Sequence, residues 1–344
     1  MEEIKWMAGS EKRFFDFIKG LNEKDKVALI SHVDLDGIAS ARAANKVLSA
    51  DMLKFVVYAD IDDKLVESIK KNKINKVILT DIGITREEIL RKIEKFADVL
   101  IIDHHEFERD FNSSKTTFMN TNKYCAAFLC YYLFSKVQDI EGLDWLVTCA
   151  CIADNVYSNN LDWMSKVYEK YGEKLVTENG LVKAEGFFWD LQSKISCTLI
   201  YFRDNLTKAY DLIGGNIHDA GNLDKYISEV QKEIDKQVEN FNKEKIEFKD
   251  GYFWEFNSKF ALTSVVSTLI SVKMPNKTLI IGRPEGNYLK ISARRQDSKV
   301  NLPEMLKKLI EGFKDSDAGG HIPAAGAFIL LKDKEEFIKR LKNM

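Results

Sequence analysis

The chain has 344 residues, 45% of them hydrophobic and 30% charged, enough for two domains or for one large α/β domain with a sizeable core. Its start, MEEIKWMAGS, lacks the basic flank and apolar run of a secretory leader, and no apolar run nears the roughly 18 residues of a membrane span. A net charge of −2 argues against a protein that coats long nucleic acid electrostatically.

Charge is unevenly distributed. Residues 251–344 carry 16 Lys and Arg against 10 Asp and Glu, while residues 1–250 carry 35 against 43. An acidic lobe joined to a basic lobe suits metal binding on one side and phosphate binding on the other, although scattered surface charge explains the count equally well. The five cysteines (Cys125, Cys130, Cys149, Cys151, Cys197) form no CxxC pair, and four lie in apolar, helix-like sequence. Buried free thiols in a reducing cytoplasm are expected, not structural zinc.

An amphipathic opening helix is expected near 10–20. Apolar strand-like runs follow at 27–31, 53–58, 76–80 and 98–102, with helix-like segments near 38–50, 63–72 and 86–96. Thr85 and Glu88 form a capping box at the third of these helices. The alternation implies parallel strands with right-handed crossovers, hence a doubly wound α/β sheet whose ligands bind beyond the carboxyl ends of the strands.

The polar residues cluster at those ends. ALISHVDLD delivers His32, Asp34 and Asp36, followed by Gly37 and a helix-like run. Asp60 and Asp62 follow the second strand, Asp81 the third, and Asp103, His104 and His105 the fourth. Asp60, Asp62 and Asp63 read as helix caps. No cap calls for two adjacent histidines, however, and three of the chain's five histidines lie at these ends, which points to a cation site.

From 120 to about 215 the sequence reads as mostly helical, with Asp154–Asn155 closing one apolar run and His218 structural or exposed. A long amphipathic helix at about 223–247 reads as a connector. Strands TLIIG and YLKISARR follow, then the helix-like LPEMLKKLIEGF, and Asp317-Ala-Gly-Gly-His321 before GAFILL. Paired glycines before a histidine read as a turn whose backbone amides can approach an anion.

With HVDLDG, LTDIG, IIDHHE, IADN and the C-terminal GGH, the chain resembles the DHH/DHHA1 phosphoesterase family, nearest its RecJ-like exonucleases and short-oligonucleotide or cyclic-dinucleotide phosphodiesterases. The resemblance implies a DHH domain over residues 1–215, a linker helix over 216–249 and a smaller α/β DHHA1 domain over 250–344. It implies two divalent ions, manganese or else magnesium. Asp36, Asp81, His104 and Asp154 match the ligands of one ion; Asp34 and Asp81 match those of the other, and His32, whose H-x-D-x-D spacing is tighter than in some branches, is a further candidate ligand of that second ion. His105 matches the contact to the scissile phosphate, and Asp103 an orienting residue behind the histidines. Gly319, Gly320 and His321 match the substrate-gripping motif, with Arg294 and Arg295 on the strand that supplies basic contacts.

The function this implies is manganese-dependent hydrolysis of single-stranded or short oligonucleotides, RNA or DNA, to nucleoside monophosphates by a cytoplasmic enzyme. Hydrolysis of cyclic di-adenylate or its linear product stays open, as do a non-catalytic RecJ-like module of a replication complex and a homodimeric state. Inorganic pyrophosphatase is disfavoured by the GGH ending and the missing Ser-Arg-Lys motif.

Overall fold

The computed structural model describes residues 3–84, 86–178, 181–183 and 185–344. The chain divides into two compact units, Met1–Lys225 and Tyr226–Met344. The first contains α1 (Glu11–Lys19), β1 (Val27–His32), α2 (Leu35–Leu48), β2 (Met52–Val56), α3 (Asp63–Lys71), β3 (Lys76–Thr80), α4 (Glu87–Ile93), β4 (Asp98–Asp103) and β5 (Thr116–Asn120). It continues with α5 (Ala126–Phe134), α6 (Asp144–Asp154), α7 (Leu161–Lys170), the antiparallel pair β6 (Thr177–Glu178) and β7 (Leu181–Val182), α8 (Phe187–Tyr201) and α9 (Leu206–Ile213).

The five strands β1–β5 form one parallel sheet in the order β2-β1-β3-β4-β5. The runs of β1, β3 and β4 are largely apolar because helices cover both faces. Ala28, Ile30, Val77, Leu79, Val99 and Ile101 pack with Leu65, Ile69, Ile89 and Leu90 of α3 and α4. The opposite face meets α2 and α5, and all nine residues of α5 are buried.

Three features differ from the expectation. A fifth strand, Thr116–Asn120, extends the sheet at its edge; its short Thr-Thr-Phe-Met run follows a segment without helical periodicity, so the strand-helix repeat hides it. Helix α2 begins at Leu35, not near 38, which puts Asp36 in its first turn and makes Asp34 its N-cap. At α4 the N-cap is Arg86, and the capping box expected at Thr85 lies outside the described residues. Of the carboxylates read as caps, Asp62 accepts from the Lys64 and Leu65 amides and Asp60 from the Val57 amide, whereas Asp63 lies in the first turn of α3 and pairs with Lys92.

The second unit is built from α10 (Asp224–Glu244), which belongs to it from Tyr226 onward, β8 (Ile246–Phe248), β9 (Gly251–Glu255), α11 (Thr263–Lys273), β10 (Thr278–Glu285), β11 (Tyr288–Arg294), α12 (Leu302–Leu309), β12 (Asp317–His321), β13 (Ala324–Leu330) and α13 (Lys334–Lys342). Its six-stranded sheet has the order β12-β13-β11-β10-β9-β8. Leu289, Ile291 and Ala293 of β11 pack with α12 and α13, so Lys290, Ser292 and Arg294 lie on the opposite face.

The GGH segment is a strand, not a turn. It pairs antiparallel with β13 along the sheet edge. Gly320 has φ +127, and a Cβ there would stand 2.6 Å from the Ala324 carbonyl, whereas a Cβ at Gly319 would meet open space. Gly320 is therefore required by the backbone, and Gly319 is the one that leaves a surface bare. No helix among the described residues is long and apolar enough to cross a membrane, and all five cysteines are buried and free.

Candidate metal centre

In a sheet of order 2-1-3-4-5 the crevice for a ligand opens where the chain leaves β1 for opposite sides, between the ends of β1 and β3. Backbone geometry concentrates polar groups there. A Cβ at Gly37 would lie 2.2 Å from the His32 carbonyl, so only glycine lets α2 start this tightly against the end of β1. Behind it, the buried Ser31 hydroxyl donates to the Gly37 carbonyl at 2.7 Å, and the Ser40 hydroxyl donates to Thr80 Oγ1 at 3.1 Å. These bonds tie the first turn of α2 to the ends of β1 and β3. Asp81 then turns the chain after β3 with φ +57, a conformation aspartate tolerates better than most residues.

Three groups of potential metal ligands result among the described residues; Asp81, His104 and His105 form one, and it overlaps two others that share no residue. His32, Asp34 and Asp81 form one, and Asp36, His104 and Asp154 the other; in each, one donor atom per residue lies within 4.8 Å of the rest. His32 Nδ1 is 2.8 Å from Asp34 Oδ2 and 3.7 Å from Asp81 Oδ2. His104 Nε2 stands 3.6 Å from Asp36, 3.4 Å from Asp81 and 3.7 Å from Asp154. Those separations are too long for hydrogen bonds. Asp81 reaches both of these last two groups, one oxygen toward each histidine.

The Asp36 carboxylate is oriented from behind. Its two oxygens accept from the Ala126 and Ala127 amides, each at 2.8 Å, at the N-terminus of α5 where the helix dipole favours an anion. By contrast Asp81 Oδ2 and Asp154 Oδ2 are buried without any hydrogen-bond partner. Burial, then the neighbouring charges of Asp36, Asp34 and Asp103, drives Asp81 well above the ordinary carboxylate range. Burial and Asp36 push Asp154 up to about 6, and burial raises Asp36 against the pull of His104. Burial also penalises the Asp34 carboxylate, yet the bonded His32 and the Gly37 amide hold it down at about 2.

Crowded carboxylates with orphaned oxygens fit a cation. Four carboxylates and two imidazoles suit manganese or magnesium better than a metal that prefers thiolates. The thiols of Cys125 and Cys151 lie 3.5 Å from one another, and burial holds Cys125 well above the ordinary thiol range.

His105 is positioned differently. Its Nδ1 is 2.8 Å from Asp103 Oδ1, and since an ionised carboxylate only accepts, the ring donates from Nδ1. Nε2 meets the Tyr58 hydroxyl at 3.0 Å. Burial disfavours the imidazolium, but Asp103 more than offsets this and raises His105 above its ordinary value. The Asn120 amide donates to the His105 carbonyl at 3.0 Å. Sequence reasoning missed Tyr58 and Asn120: Tyr58 looks like one more strand-former after FVV, and Asn120 stands only at the start of the mostly helical stretch.

The basic residues of the second unit are not equivalent. Arg295 is buried and paired with Asp297, Nε to Oδ1 at 2.8 Å, with Nη1 donating to Thr278 at 3.2 Å. Its guanidinium is thus engaged within the protein, at a position where the resemblance implies a basic contact. Arg294 is half-buried on the other face of β11; Nη2 donates to Ser264 at 3.1 Å and Nε has no partner. The His321 side chain lies outside the described residues.

The sequence from 26 to 157 matches the model of the DHH family, N-terminal domain. The structure resembles RecJ of Thermus thermophilus in complex with Mn2+, with 15% identity and a TM-score of 0.69 over 97% of this chain and 54% of that one. This chain thus spans about half the length of that RecJ. A second exonuclease RecJ, bound to manganese, gives 15% identity and 0.69 over 100% of this chain and 95% of that one. CDC45 from Entamoeba histolytica gives 9% and 0.65 over 97% and 98%. No curated protein matches in sequence. Residues 26–157 are thus similar to the N-terminal domain of the DHH family, and the overall fold is RecJ-like.

One expectation concerns pH. Asp36, Asp81 and Asp154 hold protons more tightly in the ion-free fold than when unfolded. The fold therefore binds more protons than the unfolded chain from about pH 4, the unfolded carboxylate value, to about 6 and beyond, and their contribution to stability falls as pH rises through that window. A divalent ion replaces those protons. The rise in melting temperature on adding manganese to EDTA-treated protein should be larger at pH 7.5 than at pH 5. An increment that shrinks with rising pH would contradict the assignment.

Proposed function

We propose that the chain is a manganese-dependent phosphodiesterase that hydrolyses single-stranded or short oligonucleotides to nucleoside monophosphates. The observation that carries this reading is Asp81, buried and facing two groups of candidate ligands with an oxygen that no protein atom satisfies. In this reading Asp36, Asp81, His104 and Asp154 hold one ion, and His32, Asp34 and Asp81 the other. When bound, two such ions supply hydroxide at neutral pH and neutralise charge on a phosphoryl group.

The chain's own residues do the rest. The Ala126 and Ala127 amides fix the Asp36 carboxylate. Asp103 holds the His105 ring with Nδ1–H turned away from the substrate side, so Nε2 is the atom offered to a phosphate oxygen. In the charged ring Nε2–H donates there; in the neutral ring Tyr58 donates to Nε2, which keeps the ring in place between turnovers. Such a contact strengthens as charge develops on phosphate, which is what accelerates the reaction.

In the second unit, Arg294 and the bare surface at Gly319 are the proposed phosphate contacts. Few cationic contacts mean a shallow salt dependence, since each adds nearly one unit to its slope, and strands of a few nucleotides should suffice. Fluorescently end-labelled RNA and DNA oligomers of graded length, with cyclic di-adenylate alongside, incubated with manganese, test the whole reading. Stepwise release of monophosphates from short single strands is expected. Intact strands, or cleavage of cyclic di-adenylate alone, would contradict it.

The two arginines make a sharper case. Arg294→Ala should raise KM with little change in melting temperature. Arg295→Ala should lower the melting temperature clearly, because it removes a buried side chain that bonds both Asp297 and Thr278. A similar thermal effect from both would contradict the division of roles.

A further inference from the structure

A cavity of about 380 Å³ on the first unit takes no part in the metal centre. Three aromatic rings line it. Tyr124 and Phe128 stack with centroids 5.1 Å apart and planes at 20°, and Trp163 meets Phe128 edge-on at 5.0 Å. Phe128 is buried, but Tyr124 and Trp163 remain half-buried at an open cavity. Rings serving only as core would close on one another; these leave a volume in the range of small-molecule sites.

The polar lining is balanced. Asp162 and Lys166, one turn apart on α7, are exposed, and neither enters an ion pair among the described residues. Asn159 donates through its amide to the Lys123 carbonyl at 3.0 Å, which leaves its side-chain oxygen as an acceptor. A lining with one charge of each sign, an amide acceptor and aromatic faces favours a neutral, planar, hydrogen-bonding ring over a phosphate. It also lies close to the metal centre along the chain. Tyr124 precedes Ala126, whose amide binds Asp36, by two residues or about 7 Å of extended chain, and Asn159 follows Asp154 by five residues.

We propose that this cavity holds one nucleobase of a single-stranded oligonucleotide, stacked against Tyr124 and Trp163, with Asn159, Asp162 and Lys166 at its polar edge. The inference rests on the phosphodiesterase reading and adds where a base is held while a phosphate of the same strand lies at the metal centre. Stacking tolerates any base, because each has a π-face.

The test compares two probes in EDTA, so that no strand is cut: a tri-adenylate DNA with a 3′ fluorophore, and the matching trimer of abasic residues. Fluorescence anisotropy should show the base-bearing trimer bound on the order of 5- to 100-fold more tightly by the wild type. Trp163→Ala should remove that difference, and Trp163→Phe, which keeps a ring and protects against misfolding, should retain most of it. Equal affinity of the wild type for both trimers, or undiminished discrimination by Trp163→Ala, would overturn the proposal. Manganese-dependent cleavage measured in parallel separates the two readings. Cleavage without base discrimination removes the pocket alone; base discrimination without cleavage removes the hydrolase and leaves the pocket.

Discussion

Asp81→Asn is expected to abolish manganese-dependent turnover, with a larger loss than the corresponding change at Asp34, Asp36 or Asp154. Asparagine keeps the side-chain shape and tolerates the positive φ of this position, so the effect isolates the charge. Asp81 is the residue whose two oxygens face different histidines, and removing it weakens the hold on both ions at once. Changing a residue that merely orients a metal ligand typically costs roughly 10- to 100-fold in affinity or activity; loss of a ligand shared by two ions should exceed that. The same substitution should raise the melting temperature of the ion-free protein, because it relieves the repulsion that drives the Asp81 carboxyl up. Loss of activity with a gain in ion-free stability is the signature of a carboxylate kept for a cation. Near wild-type turnover, measured with manganese at saturation, would remove Asp81 from the site.

His105→Ala is expected to lower turnover by on the order of 10²–10³ while leaving the metal content of the protein unchanged. The distinction matters because Asp81, His104 and His105 also lie close enough to share an ion. Two observations favour the phosphate over the metal as the partner of His105. Its Nδ1 is already committed to Asp103, and its Nε2 to the Tyr58 hydroxyl, a group that an incoming phosphate oxygen can replace. Tyr58→Phe should act in the same direction and more weakly, since Asp103 still orients the ring. Metal analysis of His105→Ala showing the loss of an ion would move His105 into the coordination sphere.

Much of this site is legible in the sequence because parallel strands end on one edge. Once four apolar runs alternate with helices, His32, Asp34, Asp36, Asp81 and Asp103–His105 must converge without any contact information. Asp154 converges less visibly: it ends a helix more than fifty residues after β4, and only the family resemblance singled it out. Tyr58 and Asn120 were illegible for another reason. Their residue types carry no chemistry until a histidine backbone and ring are placed beside them. The edge strand β5 was hidden by its brevity, and the second unit was read least well. There the alternation along β11 puts Arg294 on the face opposite Leu289, Ile291 and Ala293, but which face is core depends on α12 and α13 packing against those three. The Gly-Gly-His segment illustrates the same limit, since glycines that read as a turn are compatible with an edge strand whose partner, β13, comes later in the chain.

The most direct test of the central claim is an anomalous-scattering experiment on crystals of the protein grown with manganese. Two peaks are expected, separated by about 3.5–4 Å as in two-metal hydrolytic sites. Asp81 should lie between them, His104 with Asp36 and Asp154 on one side, and His32 with Asp34 on the other. A single peak, or two peaks neither of which touches Asp81, would contradict it.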